Sequence, residues 1–139
     1  MCDTIDRYKV LGKKVDYSNI TNELYKQLKK KSILFLIGDF FSTENLNLKL
    51  LSRKHEVIAI VVRDKFEEKP SEMGNISFKD PMTLSNYEGN ISKASIKYYE
   101  KEVKLNDHLL YEHFSKCSIK SVKIYTNENI ISKIIGLFK

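Results

Sequence analysis

Two short apolar runs, SILFLI from Ser32 to Ile37 and VIAIVV from Val57 to Val62, constrain this chain more than any other feature. Neither offers a polar side to water, so each reads as a strand buried on both faces, the pattern of parallel sheets covered by helices. Both are far shorter than the roughly 20 apolar residues that a bilayer crossing needs. Between them Leu46, Leu50 and Leu51 follow a start at Ser42 or Thr43, which predicts a helix. Parallel strands joined in this way require a right-handed crossover.

The rest of the chain extends this unit. Ile20, Leu24 and Leu28 recur every four positions between Asp16 and Lys31, and Asp16 or Ser18 can cap the helix that this spacing predicts. Lys26, Lys29, Lys30 and Lys31 crowd its end, where positive charge complements the helix C-terminus. From Asp64 to Asn90 both prolines, Pro70 and Pro81, occur with Gly74 and Gly89, and strand-like alternation is confined to residues 75–79. So long an excursion is the first place to look for a binding surface. Ser92 then opens the longest helix, with Ile96, Tyr99, Val103, Leu110, Phe114 and Cys117 on one stripe. A third short strand holds Val122 and Ile124, and Asn127 caps a last helix through Ile131, Ile134, Ile135 and Phe138. This order predicts one α/β domain over residues 1–139, a three-layer arrangement with a mostly parallel sheet flanked by helices.

Composition bounds the function classes. A chain of 139 residues with 42% hydrophobic content can build one continuous core. Its net charge of +6 permits acidic partners, yet arginine, the forked donor suited to phosphates and bases, occurs at Arg7, Arg53 and Arg63 alone. Cys2 and Cys117 have no paired spacing and imply a reduced compartment. The first residues intersperse charges with apolar groups, unlike a leader peptide, and the expected location is the cytoplasm.

Candidate chemistry is sparse. Asp39 follows a buried parallel strand at the end where open α/β sheets place ligand-binding residues, and its carboxylate could ligate Mg²⁺ or cap the next turn. His55 precedes the second strand and belongs at the opposite edge. His108 and His113 fall on different helix faces, and His113 with Cys117 supplies two ligands where zinc wants more. Asp64, Glu67 and Glu68 resemble an acid and base group, but Lys65 and Lys69 are interleaved, which predicts mutual screening on an exposed loop. Phosphate loops, the GxSxG elbow, HExxH and CxxC are all missing from the sequence.

Four segments together resemble the C-terminal half of the domain-of-unknown-function 58 family, which is von Willebrand factor A-like (Rossmann-like) in fold. They are Ser32 to Phe40, the Lys54-His55-Glu56-Val57 strand start, Arg63-Asp64 through Glu67 to Pro70, and Asp80-Pro81. The resemblance runs from about Asp16 to Lys139. It implies an adhesion-type metal site in which Asp39 matches one position; the DxSxS loop has no counterpart, and Val15 stands where a Thr is expected, beside Asp16. Only Asp39, and more weakly Asp16, would then face Mg²⁺, and a resident cofactor is not expected. The chain would be a fragment, leaving the strand from Ser32 to Ile37 as an exposed apolar edge prone to pairing with a second copy. The resemblance also implies a MoxR-type AAA+ ATPase as protein partner.

The resulting expectation is a non-catalytic protein-interaction module, with partner-binding residues Asp64, Glu67, Pro70 and Asp80 and without a nucleic-acid partner. The alternatives are a divalent-metal-dependent enzyme using Asp39 and a basic nucleic-acid binder acting through Lys26 to Lys31.

Overall fold

A computed structural model of the chain describes residues 16–41, 43, 45–72, 74–79 and 85–138. Asp16 opens the first helix, α1 (Tyr17–Gln27), by accepting the Asn19 N–H at 3.1 Å. The helix stops at Gln27 rather than running on to Lys31, because Leu28 turns extended while its N–H closes on the Leu24 carbonyl. Continuing it would stack Lys26 and Lys30 one turn apart, a like-charge pair that disfavours helix.

β1 (Ile33–Gly38), α2 (Lys49–Lys54) and β2 (Glu56–Arg63) form the expected strand, helix, strand unit, with β1 and β2 parallel in the register Ile33↔Glu56 through Gly38↔Val61. α2 begins later than the leucine spacing predicts. Phe40 and Asn45 both hold positive φ, 52° and 62°, which breaks the chain into turns before Leu48. Leu46 therefore packs on the core from outside the helix.

After β2 come a one-turn helix α3 (Lys65–Glu68), an antiparallel hairpin of β3 (Gly74–Lys79) and β4 (Asn86–Ile91), the long helix α4 (Lys93–Lys116), β5 (Lys120–Tyr125) and α5 (Ile130–Gly136). The hairpin corrects the expectation of one strand-like stretch in a long loop. β4, NYEGNI, carries little apolar alternation, and its strand form comes from pairing with β3. Gly74 starts the hairpin at φ 66°, a conformation that a side chain would oppose. Asn129, not Asn127, caps α5, accepting the Ile131 N–H at 3.1 Å.

The main sheet has the order β1-β2-β5, all parallel, flanked by helices. Alternate residues of β2, Val57, Ala59 and Val61, join Leu48 and Leu51 and α4's Leu110 and Phe114 in one core. The other face of β2 is buried too, through Ile58 and Ile60. β2 thus behaves as a central strand. β1 does not: Leu34 and Leu36 pack on the core, whereas Ile33, Phe35 and Ile37 are 56%, 49% and 67% exposed. The expected burial on both faces is corrected here, because β1 is the sheet edge and pairs with β2 alone among the described residues.

Candidate functional site

The C-terminal ends of β2 and β5 meet in a charge network that reaches α3 and α4. Arg63, the last residue of β2, is 1% exposed, lies with its guanidinium 3.5 Å from the centre of the Phe41 ring, and donates from Nη2 to Asp107 Oδ1 at 2.9 Å. Lys123 of β5 donates to the other oxygen of Asp107 at 2.9 Å and also pairs with Glu68. Tyr125 Oη closes the set by donating to Glu68 Oε2 at 2.7 Å. Two cations thus face two carboxylates, the balance that lets charges stay out of water.

The electrostatics follow from this pairing. Burial pulls the Lys123 ammonium down, but its bonds to Asp107 and Glu68 overcome that and hold it far above the ordinary lysine value. Burial likewise pushes Glu68 up, and the bonds from Lys123 and Tyr125 outweigh it, leaving the carboxyl below its usual range. Paired in this way, Lys123 and Glu68 tie β5 to the helix that follows β2.

What the network positions is α3. Asp64 caps this helix by accepting the Phe66 N–H at 2.8 Å, Glu67 completes a capping box by accepting the Asp64 N–H, and Asp64 also accepts from Thr126 Oγ1 at 2.7 Å. Held at both ends, α3 presents Phe66, Glu67 and Pro70 to Ile91 of β4 and to Ile96 and Tyr99 of α4. Together they line an open apolar groove of about 510 Å³. Phe66 is 42% exposed there. The Tyr99 hydroxyl is pushed up first by burial and then by the Glu67 carboxylate, against the opposing pull of Arg63, so Glu67 is the carboxylate acting most strongly on this groove-lining hydroxyl.

The structure therefore brings Glu67 and Pro70 together at one surface and gives Asp64 the task of building it. Asp80 lies outside the described residues. Glu68 corrects the expected exposed, mutually screened acidic loop: its partners come from β5, not from Lys65 and Lys69. Asp39 stands exposed beyond β1 and accepts the Phe41 N–H at 3.2 Å, as a turn residue does. Its charge, after burial, helps raise the hydroxyl of Tyr17, whereas the Asp16 carboxylate is engaged as the α1 cap, accepting the Asn19 N–H. Among the described residues there is no group of three or more His, Cys, Asp or Glu that could hold a metal ion. His113 Nε2 accepts the Leu48 N–H at 3.2 Å and sits 3.8 Å from Cys117 Sγ, so this nitrogen serves the fold.

Asp107, Lys123 and Tyr125 stand in no sequence motif, and Arg63 enters the sequence reading as the start of the Arg63-Asp64 segment, not as a site residue. The available signals were a cation ending an apolar strand and another between Val122 and Ile124, and neither identifies its partner.

These features define an α/β protein with a short parallel sheet and an apolar groove held open beside a neutral charge network at the carboxyl ends of the strands. The chain belongs to the family described as protein of unknown function DUF58, which matches residues 1–109. No curated protein and no solved structure matches it. No helix among the described residues is long and apolar enough to cross a membrane.

Proposed function

We propose that this protein is a non-catalytic interaction module and that its groove receives an apolar segment of a protein partner flanked by a basic residue. The observation that carries this reading is the groove itself. Exposed apolar surface gathered into a concavity marks a contact site, and the rim carboxylate of Glu67 favours a cation on the incoming segment. The charge network supports the role by fixing α3, whose Phe66 and Glu67 line the groove.

The partner we propose on the family resemblance is a MoxR-type AAA+ ATPase, met in the cytoplasm. Capture of the tagged chain from its own cells, read by mass spectrometry, tests both parts. The wild type should recover such an ATPase, and Ile96→Glu, which places charge inside the groove, should lose it at unchanged protein abundance. Recovery undiminished in Ile96→Glu, or capture without an AAA+ ATPase, refutes the assignment.

A second surface favours self-association. β1 leaves Ile33, Phe35 and Ile37 exposed at the sheet edge. Two-fold antiparallel pairing of β1 with a second copy would continue the sheet and bring Lys30 and Lys31 of each chain toward Asp39 of the other.

A further inference from the structure

At the opposite, amino-terminal end of the strands, where α2 ends and β2 and β5 begin, lies a cavity of about 270 Å³. His55 lines it. This residue is 3% exposed, and neither ring nitrogen has a hydrogen-bond partner. Buried polar groups in native proteins are nearly always met, and an imidazole carries at least one N–H whatever its tautomer. The missing partner must therefore include an acceptor.

The other lining groups do not supply it. Lys31, Arg53, Lys54 and Lys120 are donors only, the hydroxyls of Ser52 and Ser118 form no bond with the ring, and the single carboxylate, Glu56, stands 3.8 Å from Lys120. Nor are these cations consumed by helix ends. The last carbonyls of α4 are already taken, Phe114 by the Ile119 N–H at 2.9 Å and Ser115 by the Ser118 N–H at 3.0 Å, and α2 has only six residues. Lys54 bonds the Tyr25 carbonyl at 3.2 Å, while Lys31 and Arg53 have no ion-pair partner among the described residues. Four cations, one carboxylate and a recessed unmet imidazole therefore share one cavity.

We propose that this cavity binds a small phosphate-bearing anion, whose oxygens accept from the His55 ring and from Arg53, Lys31 and Lys120. A water molecule could meet one N–H but would leave the excess positive charge standing. A phosphate dianion answers both needs, with acceptor lone pairs pointing in several directions. Because His55 is recessed, the site suits a terminal phosphate on a small molecule rather than the internal phosphodiester of a polymer. It is separate from the groove, so loss of partner binding there leaves this site unaffected.

Titration of the isotope-labelled full chain with inorganic phosphate at constant ionic strength, followed through the histidine ring nitrogen signals, tests the site. A saturable shift of the His55 signals is expected, with the exposed His108 as internal control. Arg53→Gln, a change at an exposed side chain, should weaken binding about tenfold or more, the usual worth of a charge-assisted bond; His55→Gln should weaken it while the fold is retained. A small phosphomonoester should compete, and dimethyl phosphate, a monoanionic diester, should compete poorly. The proposal is overturned by a His55 response that does not saturate or is matched by chloride, by unchanged affinity in Arg53→Gln, or by an oligonucleotide that outcompetes inorganic phosphate.

Discussion

At the scale of single residues, the charge of Arg63 and the neutrality of His113 carry measurable consequences. Asp107 faces both Arg63 and Lys123, and Arg63 keeps Nε and Nη1 without partners even in the intact network. Removing the carboxylate strands a buried guanidinium, so Asp107→Ala should cost about 3 kcal/mol in urea unfolding. Loss of well under about 1 kcal/mol would mean that water already screens the pair as it does a surface bridge. His113 is shifted the other way, with burial and then Lys116 depressing it below 6.5. The unfolded chain therefore binds the proton more readily, and ∂ΔG/∂pH is positive in the window below 6.5 and above the depressed folded value. Stability should be fully present above pH 6.5 and fall as pH drops through this window, since a protonated Nε2 cannot accept from Leu48. His113→Gln should flatten that part of the pH profile, and an unaltered slope would exclude His113 as its source.

Among the elements, β1 holds the clearest conflict between composition and setting. Its six residues ILFLIG were suited to a buried strand, and one side of the strand is covered by the core, but the structure leaves the other exposed. An apolar strand that pairs on one side alone among the described residues templates pairing. We expect the purified chain to sediment as a dimer at micromolar concentration and Phe35→Lys, a charge on that strand, to weaken dimerisation by about tenfold or more. Because Phe35 is half exposed, the variant should unfold much as the wild type does. A wild-type chain that is monomeric by sedimentation removes β1 as a dimer surface. α4 shows the reverse case: Val103, Leu110 and Phe114 of its sequence stripe are the residues it buries, while Ile96 and Tyr99 line the groove and Cys117 caps the helix, so the helix was legible from spacing alone and its inner face in part.

Across the whole molecule, what could be read in advance depended on whether the deciding interaction was local. Apolar periodicity and capping residues are local signals, and they determined the α/β class, the central burial of β2, and the Ser92 start of α4. The placement of Glu67 and Pro70 at a surface was half legible, as members of a long connection rich in turn residues. The Phe40 turn, which packs on Tyr17 and Phe114, and the partner strand that makes NYEGNI a strand were not, because each depends on chain brought in from elsewhere. The same reason separates the sites. Sequence alone marked Asp39 by its position after a strand, whereas only the tertiary structure joined Arg63 to Asp107 across 44 residues and Tyr125 to Glu68 across 57. It also buried His55 among cations, since desolvation and charge pairing arise from proximity in space, which residue spacing does not encode.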